Sequence, residues 1–367
     1  MNALLESTPL MLEANLRLTG GRTVSPCVFD PVARPVWDSL LEPHPQRSFF
    51  HGRAWARVLH DTYGHRPLYF FSLAQGQVDE LLPIIEVSSR CTGRRGVSLP
   101  FTDFCPALKP GSHAHQALYE MALEHGRSQR WRYLECRGGR FAWLKAPPSL
   151  TFYTHEIDLE GGPDALLSRL DNAARRSLRK AQDSQLRVDF SNTPESIRTF
   201  YSLHCLTRRR HGLPPQPFRF FRNIAEHVLQ RGHGFVATAR LEKRSTAAAV
   251  FFHNGSQAIY KFGASDFAFQ NLRPNNLVMW EAIKRCAESG FARLHLGRTS
   301  LSNEGLRRFK LSFGAREDRL EYYKYDFFRN SYVTSVDRAE GWFNRVFRRL
   351  PQPLLRLAGE LLYPHLS

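Results

Sequence analysis

A lysine beside the apolar stripe of a short predicted helix is the first residue whose type and position point to chemistry. Lys310 directly follows Phe309, and both lie close to Phe313 on that helix. An ammonium group in this position can reach along a sheet edge and stabilise an oxyanion or an ester leaving group. Arg298, which follows Leu296-Gly297, has a comparable position. The alternative is a surface lysine whose alkyl stem covers apolar neighbours.

Four basic residues within six positions predict a helix face that binds phosphate. Arg175, Arg176, Arg179 and Lys180 lie in a predicted helix that starts near Asn172. Guanidinium groups bind phosphate oxygens in pairs, so such a face suits a diphosphate or an RNA backbone. The alternative is an ordinary solvated face of a charged helix.

The start of another predicted helix is a second candidate for anion binding. Pro274 suits the first helical position, because proline has no amide hydrogen to satisfy there. The amides of Asn275, Asn276 and Leu277 are then expected to be unpaired at the positive end of the helix, with Arg273 beside them. We predict that this end of the helix binds the phosphates of the substrate that donates the transferred group. An ordinary helix start is the alternative.

Two further groups of residues are candidates for binding an acceptor. Asp103 lies in the aromatic loop Pro100–Phe104, next to Phe101, and could orient or deprotonate an incoming amine. It could equally cap a turn. Tyr260, together with Ser265 and Asp266, forms the second group and is expected to contact the same acceptor.

No dedicated nucleophile or metal site is expected. The sequence contains no G-x-S-x-G, P-loop, H-E-x-x-H or dinucleotide fingerprint. The 6 cysteines have no spacing typical of zinc ligands or of a disulfide framework. Attack of an amine on an activated ester needs a base and an oxyanion partner, which the residues above could supply.

Composition bounds the class of protein. The chain has 367 residues, 42% of them hydrophobic, with 51 Lys and Arg against 34 Asp and Glu, a formal net charge of +17. Disorder and an acidic solvating tail are therefore excluded. Most of the excess lies after residue 150, so we expect the second half to face an anion: RNA, a phosphorylated cofactor, a nucleotide-linked sugar or an anionic membrane. A merely soluble basic surface is the alternative.

The amino terminus has no signal-peptide pattern, and no apolar stretch reaches the ~18 residues of a spanning helix. We expect a cytoplasmic, reduced protein.

Periodicity predicts the elements that position these residues. In the first half we predict a helix, a hairpin of two strands, a further strand, a helix and a strand, at residues 51–63, 68–73, 78–87, 96–99, 112–129 and 132–136. In the second half we predict strands at 151–159, 234–241, 247–253, 258–262, 292–296 and 319–325, and helices at 163–184, 194–211, 218–230, 274–289 and 303–313. This order indicates an α+β fold, a mixed α/β architecture around a central, largely antiparallel sheet.

The stretch from Tyr260 to Tyr325 carries a resemblance to a known family. Its pieces are GAS, then a proline that opens a helix with WEAI, then the pattern G-x-x-x-x-x-L-G-R, then FKLSFGA. In this order they resemble the FemAB-like branch of the GNAT acyltransferase superfamily, particularly members associated with exosortase and exopolysaccharide gene clusters. RLDNAARRSLRKAQ, FFHGRAWARVL and LPFTDF are similar to that family as well, so the resemblance covers about residues 45–330.

The resemblance implies two tandem GNAT-like lobes, at residues 25–150 and 151–330, followed by a basic amphipathic helical tail at 331–367. It implies an N-acyltransferase that moves an aminoacyl or acyl group to an amine of a cell-envelope glycan or peptidoglycan precursor. The donor is aminoacyl-tRNA or acyl-CoA, with no tightly bound cofactor. The loop Gln270–Pro274 lacks the glycines with which GNAT proteins usually bind CoA, which weakens the CoA alternative.

Two alternatives remain from the sequence: a CoA-dependent N-acetyltransferase acting on a sugar amine or small molecule, and a non-catalytic RNA- or membrane-binding module. DNA is not expected as a partner, and the oligomeric state is left open.

Two basic segments outside these motifs each have a structural and a functional interpretation. The run Arg208–Arg210 suits a helix carboxyl end or extends an RNA surface. In the tail, Arg345, Arg348 and Arg349 lie opposite the stripe of Trp342, Phe343, Val346, Phe347 and Leu350. Such a helix would suit peripheral contact with the inner membrane face, or it would pack on the fold.

Overall fold

The computed structural model describes residues 24–110, 113–138, 144–335, 337 and 342–366. The chain forms two compact units. The first contains residues 1–150, 321–336 and 365–367, and the second contains residues 151–320 and 337–364. Strand β12 (Arg316–Asp326) contributes its beginning to the second unit and its end to the first.

The first unit is a mainly antiparallel sheet with the order β1-β2-β3-β4-β5-β12, in which only the β4–β5 pair of the described strands is parallel. Its other elements are β1 (Val24–Phe29), α1 (Trp37–Leu41), α2 (Arg53–Tyr63), β2 (Arg66–Ala74), β3 (Gln77–Ser89), β4 (Gly93–Val97), α3 (His113–Ser128), β5 (Tyr133–Arg137) and β13 (Ser331–Tyr332), with a 3-10 turn at Phe49–His51. Gln75 and Gly76 both have positive φ, 52° and 77°, which suits the tight turn of the β2–β3 hairpin.

The predicted stripe of α2 is confirmed. Trp55, Val58, Leu59 and Thr62 are buried, and the helix ends at Gly64, which takes the left-handed conformation that glycine adopts without strain. The period-3.6 pattern therefore sufficed to place this helix against its sheet.

The second unit repeats the arrangement, with strand order β6-β11-β10-β9-β8-β7 and a single parallel pair, β10–β11, among its described strands. Its strands are β6 (Leu150–Asp158), β7 (Arg187–Ser191), β8 (Gly234–Leu241), β9 (Arg244–Asn254), β10 (Gln257–Ser265) and β11 (Arg293–Ser300). Its helices are α4 (Gly162–Arg169), α5 (Asn172–Asp183), α6 (Pro194–Arg210), α7 (Phe218–Ile224), α8 (Pro274–Glu288), α9 (Glu304–Leu311), α10 (Trp342–Arg349) and α11 (Gln352–Leu362).

Helices α5 and α8 share one hydrophobic core with the sheet of the second unit. Leu178 of α5 and Trp280 and Ile283 of α8 are buried there. The core therefore fixes the positions of the basic helix and of the helix that begins at Pro274 relative to β10. The predicted α+β architecture of two helix-flanked, largely antiparallel sheets with a helical carboxyl-terminal segment is confirmed.

Five local features differ from the sequence-based expectations. Residues 163–184 form two helices, because the backbone is extended at Leu170 after the first, and Asp171 caps the second by accepting the amide of Ala174. Residues 218–230 form α7 and then a π-helical turn at 225–229. Strands β1 and β7 and the short helix α1 were not predicted, because each is too brief to show a clear period.

The carboxyl-terminal helices pack on α6 of the second unit. Leu355, Gly359 and Tyr363 are buried, and Arg208 donates to the Tyr363 hydroxyl at 2.8 Å. At least Arg208 of the arginine run therefore has a structural role. Three leucines of α11 point away from this contact and are exposed: Leu354, Leu357 and Leu361. In the described ranges no helix is both long and apolar enough to cross a membrane.

Candidate active site

The parallel pairing of β10 with β11 stops before either strand ends. Paired residues run only to Ile259 and His295, although the strands continue to Ser265 and Ser300. Beyond that point β10 pairs with β9, and β11 pairs with β6. The two strands are therefore not paired with each other beyond these residues, and a ligand with amide groups could bind at their facing edges.

A bulge in β11 shapes one edge of this opening. The register with β6 shifts between His295 and Arg298, and Gly297 within the shift has φ of 72°. The Gly297 amide donates to Nδ1 of His295 at 2.9 Å, so the proton of a neutral His295 lies on Nε2. That nitrogen contacts the hydroxyl of Thr154 at 2.7 Å, which makes it the donor of this bond.

Lys310 holds the bulge from the side of α9. Its side chain is 2% exposed, and Nζ donates to the carbonyls of Gly297 and Arg298, each at 3.0 Å. A surface lysine is therefore excluded. The structure places a buried ammonium group against the stretch of β11 that borders the opening, where positive charge acts more strongly than in water.

A second buried group lies beside Lys310. His155 donates from Nε2 to the Glu317 carboxylate at 3.0 Å. Arg307 donates to both carboxylate oxygens of Glu317, at 2.8 and 2.9 Å. The Arg307 hydrogen bond holds the pKa of Glu317 below its usual range. Burial and the Lys310 ammonium lower the pKa of His155. Its Nδ1 is buried without a hydrogen-bond partner among the described residues, so it is a neutral acceptor.

The end of β10 and the start of α8 are joined through two predicted site residues. The amide of the Asn275 side chain donates to the Ser265 hydroxyl at 3.2 Å. Ser265 is buried and exchanges two backbone hydrogen bonds with the hydroxyl of Thr207, at 2.9 and 3.0 Å. The structure thus brings a predicted acceptor residue and a predicted donor residue to the same place.

The expectation of three unpaired amides at this helix end was wrong. The amides of Asn276 and Leu277 both donate to the carbonyl of Arg273, at 3.1 and 3.4 Å. Arg273 is the residue before the helix, and the carbonyl at that position ordinarily accepts the first intrahelical hydrogen bond. In the described structure only the amide of Asn275, of these three, has no backbone acceptor, while the side chains of Arg273 and Asn275 are exposed.

The four basic residues of α5 all lie on its exposed face. Arg175, Arg176, Arg179 and Lys180 are exposed, whereas Ala174, Leu178 and Ala181 are buried. Arg175 donates to the carbonyl of Ser168 at 2.6 Å. Because α5 packs on α8, this positive face and the start of α8 belong to one rigid part of the second unit.

The remaining predicted residues have mixed environments. Arg298 stacks its guanidinium over the ring of Phe152, 4.4 Å from the centroid, and Tyr260 is half-buried against the core. Asp103 and Phe101 belong to the first unit. There the carbonyl of Asp103 accepts from the Tyr322 hydroxyl, and Phe101 packs its ring 5.1 Å from that of Tyr63.

Sequence reasoning missed His155, Glu317 and Arg307. His155 and Glu317 are 162 positions apart, so no spacing rule could join them. The available signal was a histidine inside the predicted strand 151–159, where an imidazole needs a partner if it is buried.

Comparison with known proteins identifies the domain. Residues 168–325 match the acetyltransferase (GNAT) domain family. No curated protein sequence matches the chain significantly.

Solved structures share the fold at low sequence identity. FemX superposes with a TM-score of 0.62 at 14% identity, covering 83% of this chain and 98% of FemX. L-PGS from Bacillus licheniformis superposes with a TM-score of 0.52 at 11% identity, covering 91% and 97% of the two chains. The C-terminal domain of a lysylphosphatidylglycerol synthetase from Agrobacterium fabrum gives 0.51 at 16%, covering 78% and 89%. The chain therefore shares its fold with FemX, and residues 168–325 match an acetyltransferase (GNAT) domain.

Proposed function

Residues 168–325 match a GNAT acetyltransferase domain on a fold shared with FemX, and on that premise we propose that this chain is an acyltransferase that transfers an aminoacyl group from tRNA to an amine of a cell-envelope glycan or peptidoglycan precursor. The amine attacks the ester carbonyl carbon, the new amide bond forms, and the bond to the tRNA hydroxyl breaks. The proton lost by the amine ends on that leaving oxygen. No covalent intermediate with the protein is required.

The observation that carries the proposal is the opening between β10 and β11 with a buried ammonium at its edge. The facing strand edges, which are not paired with each other there, could align an extended donor. Lys310 donates to the carbonyls of Gly297 and Arg298, so its ammonium borders this opening, and such a group would stabilise negative charge on the ester oxygen. We assign Lys310 the role of offsetting that charge.

The positive surfaces of the second unit suit tRNA better than CoA. GNAT proteins usually hold the CoA pyrophosphate on free amides at a helix start, but here Arg273 occupies those of Asn276 and Leu277. The exposed basic face of α5, with Arg176 and Arg179, instead offers spaced charges to a longer phosphate backbone. We assign this face, together with Arg273, Asn275, Asn276 and Arg298, to donor binding.

The acceptor residues are assigned from residue chemistry. Ser265 and Tyr260 lie on β10, beyond or next to the last residue paired with β11, and offer hydroxyl groups. Asp103 and Phe101 lie in the loop after β4, and we propose that they orient the amine and contact its carrier. Peripheral contact with the inner membrane face, through the exposed leucines of α11 and the nearby arginines Arg348 and Arg349, would bring a lipid-linked acceptor close.

A CoA-dependent acetyltransferase that modifies a sugar amine is the second candidate. The observation in its favour is the match of residues 168–325 to a family described as acetyltransferase. The two candidates differ in donor and share Lys310.

The test supplies purified protein with one donor at a time. We expect acyl transfer to an envelope-precursor amine from charged tRNA, loss of transfer after ribonuclease treatment, and no transfer from acetyl-CoA. Arg176→Glu with Arg179→Glu should raise the KM for charged tRNA about tenfold or more, because each reversal removes an attraction to phosphate and adds a repulsion.

A matched control carries the same change of charge elsewhere in the second unit. Arg231 and Lys243 are exposed, and Arg231→Glu with Lys243→Glu should leave the KM nearly unchanged. Transfer from acetyl-CoA without RNA would replace the first candidate by the second. Equal effects of the two double variants would contradict the assignment of α5.

A further inference from the structure

The first unit contains a large cavity that the proposed acyl transfer does not use. Its volume is about 1210 Å³, and all of its lining residues belong to the first unit. It lies at the amino-terminal ends of β4 and β5, and the last described residues of the chain close one side. There the carbonyl of His365 accepts from Arg95 at 2.7 Å and from Thr92 at 3.2 Å.

Six cationic side chains line this cavity, against a single lining carboxylate among the described residues. The cationic residues are Arg95, Arg127, Arg130, Arg132, Lys324 and Arg329. The carboxylate, Asp326, already accepts the amides of Phe328 and Arg329 at 2.9 Å each. Lys324 has Glu135 at 3.9 Å, but Glu135 is held more closely by Arg137, at 2.8 Å.

Two further lining cations have uncharged acceptors. Arg127 donates to the hydroxyl of Tyr325 at 3.4 Å, and Arg132 donates to the carbonyl of Thr92 at 3.2 Å. Burial lowers the pKa of Arg95, while the nearby Tyr133 and Glu135 act in the opposite direction. Clustered like charges oppose folding unless an anion offsets them, so a cavity of this composition is suited to a charged ligand.

The size of the cavity and its rim narrow the kind of ligand. The volume exceeds the roughly 300–1,000 Å³ of common small-molecule sites, and the cations come from three separate stretches of chain, so one phosphate would contact only part of them. Arg130 and Arg329 are exposed, and in the described part of the chain neither has a side-chain partner. Phe328 at the rim is 97% exposed and offers an apolar face beside them.

We propose that this cavity is a second anion site, which binds a ligand with two or more phosphate groups through Arg95, Arg127, Arg130, Arg132, Lys324 and Arg329. Each guanidinium group in the lining can bind a pair of phosphate oxygens. The phosphates can belong to a soluble oligophosphate or to anionic lipid headgroups, for which Phe328 would supply the apolar contact. The site does not depend on the acyl-transfer proposal, because its residues do not include any assigned to that reaction.

The experiment uses the full chain and two probes. Inorganic pyrophosphate is titrated by calorimetry and by thermal unfolding, and vesicles of phosphatidylcholine with or without phosphatidylglycerol are used in flotation. Arg130→Glu with Arg329→Glu should weaken binding of the effective probe at least about tenfold, since each guanidinium contributes a charge-assisted hydrogen bond. Both residues are exposed, so the variant should keep its melting temperature without ligand.

The control is again Arg231→Glu with Lys243→Glu, which changes the net charge equally on the second unit. Pyrophosphate binding near one per chain, lost in the cavity variant and kept in the control, supports the site with a soluble ligand. Flotation with phosphatidylglycerol alone, lost in the same selective way, supports it with a lipid source. Binding of neither probe, or equal loss in both double variants, would overturn the proposal.

Discussion

Replacing Lys310 by methionine tests the central feature of the candidate active site. Methionine keeps much of the length and apolar stem of lysine but removes the ammonium that donates to the carbonyls of Gly297 and Arg298, each at 3.0 Å. Both carbonyls then lose a charged donor at a position where the side chain is 2% exposed. We expect lower stability, lower turnover and a changed titration of the neighbouring imidazole.

The magnitudes follow from the contacts. A hydrogen bond to a charged group contributes about 1.5–3 kcal/mol, while removing a buried ammonium recovers its desolvation cost, so we expect a net loss of about 2–4 kcal/mol in unfolding free energy. If Lys310 also stabilises developing charge, turnover should fall by about 10²–10³, the usual effect of losing one such donor. The Lys310 ammonium lowers the pKa of His155, so its removal should raise that pKa.

Three measurements separate these effects. Urea unfolding gives the change in stability, initial rates with charged tRNA give kcat and KM, and NMR of the imidazole carbons gives the pKa of His155. A purely structural lysine would lower stability without a separate fall in kcat at temperatures where the variant is folded. Unchanged kcat, or a lower pKa for His155, would refute the reasoning.

Three other outcomes are expected. Gly297→Ala should destabilise the chain by about 1–3 kcal/mol in urea unfolding, since φ of 72° strains alanine; no change would argue against the bulge. Gly359→Ala should destabilise the chain or expose α11 to proteolysis, because a Cβ would lie 2.0 Å from the carbonyl oxygen of Pro215; protease resistance equal to that of the parent would contradict this packing. Burial lowers the pKa of both His65 and His204 from 6.5 to about 3. Below pH 6.5 the unfolded chain therefore binds more protons than the folded chain. The free energy of unfolding should fall by about 1.4 kcal/mol per pH unit below 6.5 for each histidine, so urea unfolding should show lower stability at pH 5 than at pH 7. Equal stability at the two pH values would be the contrary result.

Local chemistry was predictable from the sequence where neighbouring residues decide it. The Gln75-Gly76 hairpin, the buried stripe of α2 and the proline at the start of α8 all follow from turn geometry and period. The order of the motifs between Tyr260 and Tyr325 was enough to indicate the GNAT fold. The hairpin, the stripe and the helix start each involve residues within a few positions of one another or along one element, and the motifs are recognised by their order along the chain.

The boundaries of short elements were less predictable. Strand β7 and helix α1 span only five residues each, which is too short for a hydrophobic period to show. The backbone of Arg273 before α8 is left-handed, a conformation that is uncommon for arginine and that composition does not indicate.

The sequence by itself determined a basic α+β protein and predicted a lysine and a basic helix as residues for acyl transfer. Only the tertiary structure decided that Lys310 is buried on a bulge of β11, that His155 and Glu317 form a pair, and where positive charge gathers in the first unit. The charge balance of residues 1–150 favoured an anion site in the second half of the chain. The cavity draws Lys324 and Arg329 from beyond that range to join Arg95 and Arg130. Local patterns cannot report such groupings, because sheet pairing joins residues that are far apart in the chain, such as Asp326 and Tyr133, and burial then sets the strength of their charges.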